Sequence, residues 1–455
     1  MSSENGSFDA FLLFWNGHVK KECPLSVCAD AVWHELKWHS ESTQLKQRFG
    51  LYSWLAWWVS SAWNSLWAPS RISEDRDFTS PGPVFALLDT PAHAHTLRPV
   101  LNYIIGSGCE IVPNAGFNIP NHSPNFCNSL KTLFLALRGA SLTSKFLQQS
   151  GLQTNYHLKG RLADRIFQCL NALSWCETLT PAVGPLFLTY ELLPWQKGLV
   201  WRWRKFGMRV IHMMHGQRLD LYQHTNATDL VLFSKIDEPW FRARVDPSVK
   251  IWTIGHPRLE DVRRQVGPAR DTNTGLPRIT FFSQPAEGDY SRSQCIADWK
   301  ICASLRGKAE VRFRAHPRED RAMLATDMKA AGIDFMQVSE AGLIEDLKWC
   351  DAVASSWSTV SMEAAACGRG IFWTCSTPEK YEASRELRDH GIGVLIQNSP
   401  DWPPYLKQWS EGGWASPVTV SDEQLRELGM IGDTSKSWME RLEIEVATLS
   451  PKIKG

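Results

Sequence analysis

Short apolar runs alternate with stretches of helical periodicity along most of the chain. In the first half we interpret as strands the runs 10–15, 84–89, 186–190, 208–214, 229–234 and 249–255. The helical patterns between them cover 92–106, 129–149, 159–175 and 194–206. Strands that alternate with helices in this way predict parallel α/β layers.

A polar segment divides the chain. Residues 266–277 are rich in Gly, Pro, Asn and Thr, which is typical of a linker. Beyond it we interpret as strands 278–283, 309–315, 335–339, 351–355 and 370–374, and as helices 291–305, 319–331, 341–349 and 358–367. We therefore predict two tandem Rossmann-like doubly wound domains, 1–265 and 276–420, that face a cleft. A helical tail over 421–455 is expected to pack back on the first domain.

Tryptophan is frequent, with 22 in the chain, and five of them lie in the uncharged stretch 49–70. We predict a helix near 51–67, because its residues form one broad apolar face at about 100° per residue. Its Ser and Asn residues argue against a helix buried in lipid. Two interpretations stay open: a helix packed on the domain core, which we favour, and a helix lying in a membrane interface.

Charge and cysteine content exclude several classes of protein. The net charge is +1 and the basic residues are scattered, which gives no support for a nucleic-acid partner. The 11 cysteines include no Cys-x-x-Cys pair, so they fit neither a disulfide framework nor a zinc site. The N-terminus lacks the basic region and cleavage site of a signal peptide. We expect a cytoplasmic protein.

Three predicted strand ends in the second domain carry polar side chains. They are Ser283-Gln284, His316-Pro317 and Ser355-Ser356, the last of which leads into Ser358 and Thr359 at the start of a helix. Ligands of doubly wound sheets bind at the carboxyl ends of strands, so these positions predict a binding site. The hydroxyls and the N–H groups of the helix start suit an anion, and simple helix capping is the alternative.

His316 is the most informative of these residues. Pro317 has no N–H and holds His316 out of helical geometry, so the imidazole is expected to project from the strand end into the cleft. There it can donate to a phosphate or a leaving-group oxygen. The flanking Arg314 and Arg318 offer further partners for phosphate or carboxylate. Because the hydroxyl cluster lies at a neighbouring strand end, we interpret His316 as functional.

The order His-Pro, then a strand ending in Ser-Ser-x-Ser-Thr-x-x-x-Glu-Ala, resembles the donor half of GT-B type glycosyltransferases. In particular it resembles the bacterial enzymes that use CMP-activated sugar acids, the sialyltransferases and Kdo transferases of capsule and O-antigen synthesis. The resemblance implies that His316 contacts the CMP phosphate or ribose and that Glu363 binds a ribose hydroxyl. It implies that the phosphate is held by Ser355, Ser356, Ser358 and Thr359.

The first domain also resembles surface-carbohydrate biosynthesis proteins. The stretches "TYELLPWQKGL" (189–199) and "GMRVIHMMHGQR" (207–218) are similar to their Glu-x-x-x-Trp and His-Gly motifs. An acceptor hydroxyl needs a base, and both Glu191 and His215 follow predicted strands; we predict that the two act together. Arg218 and Arg318 are equally good candidates for a carboxylate on the sugar.

The resemblance implies a glycosyltransferase that moves a CMP-activated 2-keto sugar acid (Kdo or a sialic or nonulosonic acid) to a surface-polysaccharide or glycolipid acceptor. We expect an inverting reaction without metal or other cofactor, because CMP leaves with one phosphate. One alternative is a GT-B relative that uses a UDP-sugar, either a transferase or an epimerase. The other is a non-enzymatic assembly factor, docked peripherally on the cytoplasmic face of the inner membrane through residues 51–67.

Other motifs are less informative. Asp75-Arg76-Asp77 has the form of a metal-binding Asp-x-Asp, but it lies in a polar stretch bounded by proline and predicts a solvated loop. The segment "GHPRLED" (255–261) repeats the His-Pro-Arg pattern at the domain boundary. Its glycine and its place after a strand indicate a connection between domains and not a second active site.

Overall fold

A computed structural model describes residues 8–19, 84–86, 110–112, 126–150 and 184–444, together with single residues between 28 and 173. The last range has gaps at 190, 192–193, 217, 219–224, 269–274, 287–289, 335, 377–381 and 437. The predicted tryptophan-rich helix at 51–67 and the Asp-x-Asp sequence at 75–77 lie outside the described residues.

The described elements follow the predicted alternation of strands and helices. The strands are β1 Val84–Ala86, β2 Glu110–Val112, β3 Leu186–Leu188, β4 Val210–Met213, β5 Asp229–Val231, β6 Lys250–Trp252, β7 Arg278–Phe282, β8 Glu310–Arg314, β9 Gln337–Val338, β10 Ala352–Ser355, β11 Gly370–Thr374 and β12 Val394–Ile396. The helices are α1 Phe8–His18, α2 Phe126–Gln149, α3 Pro194–Lys205, α4 Glu238–Arg242, α5 Pro257–Val266, α6 Arg292–Ala303, α7 Arg321–Ala330, α8 Leu343–Trp349, α9 Val360–Ala366, α10 Glu382–Asp389, α11 Pro403–Ser410, α12 Asp422–Glu427 and α13 Trp438–Arg441.

The strands form two six-stranded sheets in which all pairs are parallel, in the orders β2-β1-β3-β4-β5-β6 and β12-β11-β10-β7-β8-β9. The second order is that of a doubly wound sheet, in which the chain reverses direction across the sheet between β7 and β10. The prediction of two Rossmann-like α/β units is confirmed. Ligands of such sheets bind outside the carboxyl ends at the reversal point.

Burial explains why the two neighbouring strands β10 and β11 are largely apolar. Every residue of β10 and β11 is buried, because helices cover both faces of a parallel sheet. One hydrophobic cluster extends across both halves of the chain: it joins Met214 and Leu259 of the first half to Val353, Met362 and Trp373 of the second. This shared core holds the two sheets together.

The N-terminal run 10–15 is a helix and not the predicted strand. Phe11 and Trp15 are fully buried and lie four residues apart, the spacing that places side chains on one face of a helix, whereas Leu13 between them is 78% exposed. The run is apolar at every position, so the sequence shows no helical periodicity there. Two short strands, β2 and β12, have no counterpart in the prediction.

The C-terminal segment returns to the first sheet. Trp438, Leu442 and Ile444 pack against Phe187 and Ile211 of β3 and β4. The guanidinium of Arg209 donates to the carbonyl oxygen of Leu442 at 2.8 Å, so the segment is tied to the strand layer by polar contacts as well as apolar ones. Among the helices that the structure describes, none is both long and apolar enough to cross a membrane.

Candidate active site

The reversal point of the second sheet brings together the polar strand ends that follow β7 and β10. Ser283 and Gln284 come directly after β7; Ser355 ends β10, its hydrogen-bonded neighbour, and Ser356 follows it. His316 follows β8 on the other side of β7. Parallel strands end at the same edge, so the predicted donor residues share one edge of one sheet.

His316 is held in one tautomer by its own turn. Its Nδ1 accepts a hydrogen bond from the backbone N–H of Arg318 at 3.2 Å. In the neutral ring Nδ1 is therefore unprotonated and Nε2 carries the proton. Burial, with a smaller effect of Arg318, lowers the pKa of His316 to about 4, so the ring is neutral at pH 7. Half-buried at a strand end, it is a hydrogen-bond donor through Nε2.

Glu319 organises this turn, and sequence reasoning missed it. Its carboxylate accepts from the backbone N–H of His316 at 2.8 Å and from the hydroxyl of Ser283 at 3.1 Å. Arg292 of α6 donates to the same carboxylate at 3.3 Å. The side chain is almost fully buried, so the loops after β7 and β8 are joined through one charge. The signal in the sequence was an acidic residue three positions after His316.

A second carboxylate that the sequence analysis missed lies under the hydroxyl cluster. Asp298 of α6 is fully buried and accepts from the hydroxyls of Ser356 and Tyr290, each at 2.7 Å. It also accepts from the backbone N–H of Ser376 at 2.7 Å. Desolvation, followed by the charge of Asp298, raises the pKa of Tyr290 above its ordinary range. One carboxylate thus ties together the loops after β7, β10 and β11.

These contacts divide the predicted phosphate-binding hydroxyls into two groups. Ser355 is fully buried and hydrogen-bonded to Ser361 at 2.8 Å, and Ser356 donates its proton to Asp298. Both hydroxyls serve the interior of the domain. Ser358 and Thr359 come next in the chain and lead into α9, where Ser358 accepts from the N–H of Val360 at 3.3 Å.

The start of α9 lies against the first half of the chain. The hydroxyl of Thr359 is 3.4 Å from the position that a Cβ atom would take on Gly216. Gly216 follows His215 in the turn after β4. The start of α9 and the His-Gly motif are therefore neighbours in the structure.

Glu363 is fully buried and does not face solvent. Its Oε1 accepts from Nε of Arg258 at 2.5 Å, and Arg258 also donates through Nη1 to the carbonyl oxygen of His215 at 2.8 Å. Arg258 belongs to the His-Pro-Arg segment at the domain boundary, so that segment links the two halves. The other oxygen of Glu363 has no hydrogen-bond partner within the described part of the chain.

His215 has the opposite tautomer to His316. Its Nδ1 lies 2.8 Å from the carbonyl oxygen of Thr189, which can only accept, so Nδ1 carries the proton and Nε2 presents a lone pair. Burial, together with the charge of Arg258, lowers the pKa of His215 to about 4, because the backbone bond to Thr189 offsets only part of the shift. The ring is neutral at pH 7.

Glu191, the other candidate base, follows β3 and is buried in a polar setting of its own. One carboxylate oxygen accepts from the hydroxyl of Thr225 at 2.7 Å, and the other accepts from the backbone N–H of Asn226 at 2.7 Å. The imidazole of His212 lies 3.8 Å from Glu191. The carboxylate thus orders the segment before β5, which pairs with β4, the strand before His215.

Two of the three candidate arginines are engaged with protein carboxylates. Arg218 is buried and pairs with Glu386 of α10, with Asp237 at 3.6 Å as a second partner. Arg314 donates to Asp346 of α8 at 2.6 Å. Arg318 is exposed, beside His316. The structure therefore leaves only Arg318 of this group on the surface of the site.

Desolvation raises the pKa of Asp237 to about 6, against the opposing effect of Arg218. Within the described residues there is no group of three or more His, Cys, Asp or Glu side chains that suits a metal ion.

No family model and no curated protein matches the chain. Solved structures with a similar fold include a UDP-GlcNAc 2-epimerase from Methanocaldococcus jannaschii, at 12% identity and a TM-score of 0.45, covering 76% of this chain and 98% of that one. The corresponding epimerase from Neisseria meningitidis has 9% identity and a TM-score of 0.46, covering 76% and 98%. A variant of the wall teichoic acid polymerase TagF has 10% identity and a TM-score of 0.43, covering 88% and 98%. These structures are similar to this chain in fold alone.

Proposed function

We propose that this protein is an enzyme that acts on a nucleotide-activated sugar held between the two sheets. His215 accepts a proton and His316 donates a hydrogen bond to the departing phosphate. The observation that carries the proposal is the opposite hydrogen bonding of these two histidines, one at a strand end of each sheet. A reaction that moves a proton from an acceptor hydroxyl while a phosphate leaves needs one group of each kind.

His215 is the better base of the two candidates. The Thr189 carbonyl fixes the proton on Nδ1, so Nε2 is the basic nitrogen of the neutral ring. Both oxygens of Glu191 already accept hydrogen bonds from the segment before β5. Glu191 is accordingly proposed as a positioning residue. A pKa of about 4 makes a weak base, and the negative phosphate of a bound donor would raise it toward neutrality.

His316 is suited to the leaving group. Its neutral ring carries an N–H on Nε2 without the cost of burying a charge, and the Glu319 carboxylate holds the turn in which it lies. Pro317 adds rigidity, since its φ is restricted. A donor that is oriented before the substrate arrives stabilises developing negative charge at little reorganisation cost.

The pairing of the candidate arginines with protein carboxylates favours a UDP-sugar over a CMP-activated sugar acid as the donor. A 2-keto sugar acid carries a carboxylate that needs a cationic partner, yet Arg218 and Arg314 are already paired with Glu386 and Asp346. A neutral sugar has no such need. We therefore propose a UDP-sugar transferase or epimerase. The CMP-sugar acid transferase is the second candidate, supported by the exposed guanidinium of Arg318 beside His316.

Thermal unfolding with a nucleotide panel tests the proposal. A ligand that binds only the folded state raises Tm by mass action. We expect a rise with UDP and UDP-GlcNAc that is larger than with CMP, and a smaller rise with His316→Ala. The exposed His390 in the same half gives the matched control, His390→Ala, which should respond like the wild type. A larger rise with CMP would select the second candidate, and no rise with any of them would contradict the proposal.

A further inference from the structure

The connection between β11 and α10 is flanked by polar side chains that the proposed reaction has not used. Helix α10 lies at the junction of the two halves, because its Glu386 pairs with Arg218 from the loop region after β4. Ser384 and Arg388 lie two residues before and after Glu386. Ser384 and Arg388 are four residues apart, so they share one face of α10. Each lies about 200° around the helix axis from Glu386.

Both side chains contain polar atoms that are shielded from solvent without a hydrogen-bond partner. In the described part of the chain this holds for Oγ of Ser384 and Nη1 of Arg388, and also for Oγ1 of Thr374, the last residue of β11. Ser384 is 1% exposed. A buried donor that stays unsatisfied costs stability, and a guanidinium that lacks a counter-ion costs more.

Among the described residues, no carboxylate forms an ion pair with Arg388. Burial is the main influence on its pKa, Cys375 and Asp389 favour the charged form, and Arg385 opposes it. Burial outweighs them and lowers the pKa of Arg388. The guanidinium remains charged, because arginine is effectively always protonated in proteins. An anion from outside the protein would satisfy it.

We propose that Ser384 and Arg388 form an anion subsite at the carboxyl edge of the second sheet, which takes a phosphate group of the substrate. The location supports this assignment: Ser376, which follows β11, donates to Asp298, and Asp298 holds Ser356 of the candidate donor site. A guanidinium and a hydroxyl on one face provide several donors for phosphate oxygens. The subsite rests on the proposed function, and extends it by assigning the cation that receives the phosphate.

The subsite predicts opposite effects on binding and on stability. Arg388→Met keeps an unbranched side chain and removes the charge. We expect UDP and inorganic pyrophosphate to bind about 10- to 100-fold more weakly, the loss expected for a charge-assisted hydrogen bond. The ligand-free variant should have a Tm equal to or above that of the wild type, because a half-buried charge without an ion-pair partner among the described residues has been removed. An arginine with a purely structural role would give a lower Tm.

The matched control is Arg385→Met, which makes the same change at an exposed arginine of the same helix. It should bind both probes like the wild type at fixed ionic strength. Ser384→Ala is the second variant, with binding weakened roughly 3- to 10-fold and no loss in Tm. Calorimetric titration gives the affinities, and thermal unfolding without ligand gives Tm.

The outcomes separate the subsite from the proposed function. If the wild type binds UDP and Arg388→Met binds it equally well, the subsite is wrong and the proposed function stands. If the wild type binds pyrophosphate through Arg388 but shows no affinity for UDP, the subsite stands and the nucleotide assignment is wrong. If the wild type binds neither UDP nor pyrophosphate, both the subsite and the proposed function are overturned. A clear fall in the Tm of ligand-free Arg388→Met overturns the subsite alone.

Discussion

The tripeptide His-Pro-Arg occurs twice, at 256–258 after β6 and at 316–318 after β8, and the two copies share a local structure. In both, Nδ1 of the histidine accepts from the backbone N–H of the arginine, at 3.3 Å in the first and 3.2 Å in the second. Proline between them has no N–H and keeps the turn open. The local sequence therefore sets the same tautomer twice.

The surroundings of the two copies differ. His256 is fully buried, stacks on Phe233 with ring centroids 3.9 Å apart, and donates its Nε2 proton to the carbonyl oxygen of Met214 at 2.7 Å. His316 is only half-buried, with its Nε2 proton at the edge of the sheet. Arg258 is buried and paired, whereas Arg318 is exposed. Packing, not sequence, decides which imidazole is structural and which is available to a ligand.

The largest effect is expected from His316→Ala. If this histidine is the hydrogen-bond donor to the leaving phosphate, kcat/KM with the accepted nucleotide sugar should fall by about 10²- to 10⁴-fold. The Tm should change little, because the ring is at the edge of the sheet. Steady-state kinetics on His316→Ala and His390→Ala provide the comparison. Wild-type kinetics in the first variant would remove His316 from the mechanism.

The second-largest effect is expected from Arg258→Met, a change in the buried His-Pro-Arg copy at 256–258. It leaves the carboxylate of Glu363 fully buried without a counter-charge, and breaking a buried pair costs about 3–5 kcal/mol of unfolding free energy. Urea unfolding measures the loss. The double variant Arg258→Met/Glu363→Gln should recover part of it, because no charge is then left unpaired. Equal losses in the single and double variants would show that the ion pair is not the cause.

The pH dependence of stability gives the third test. Burial lowers the pKa of His256 from 6.5 to about 3, so at a pH between these values only the unfolded chain binds the proton. Stability should be unaffected above about pH 6.5 and should fall as the pH decreases below it, by at most about 1.4 kcal/mol per pH unit for this group. His256→Phe should flatten the slope of unfolding free energy between pH 6 and pH 5. The exposed His390→Phe should not.

The smallest effect is expected from Arg318→Ala. With a UDP-sugar the change should be within about threefold in kcat/KM, since an exposed cation contributes little in water. A sugar acid would give a different result, because its carboxylate needs a cation and Arg318 is the candidate on the surface. A loss of about tenfold or more that appears only with CMP-activated donors would favour the second candidate function.

Much of the fold could be predicted because burial imposes regular patterns. In the second half the strand predictions 278–283, 309–315, 351–355 and 370–374 overlap β7, β8, β10 and β11. The prediction was wrong at 10–15, where an all-apolar run has no readable period. Short edge strands such as β12, with three residues, carry too few alternations to be recognised.

The candidate site could be predicted only at strand ends. His316 and the hydroxyls after β10 stood out because polar residues follow apolar strands there. Asp298 and Arg258 did not, because their partners are distant in the chain: Asp298 and Ser356 are 58 residues apart, and Arg258 and Glu363 are 105 apart. No local sequence pattern predicts such contacts between distant residues.

The sequence by itself determined the alternation of strands and helices, the turns after His-Pro and the tautomer of each turn, because these depend on neighbours within a few residues. Only the tertiary structure decided which histidine is enclosed, which arginines are already paired with carboxylates, and that the His215 turn meets the start of α9. The physical reason is that burial and electrostatic pairing are set by residues brought together from distant parts of the chain, and their effect on a charge far exceeds that of its immediate neighbours in sequence.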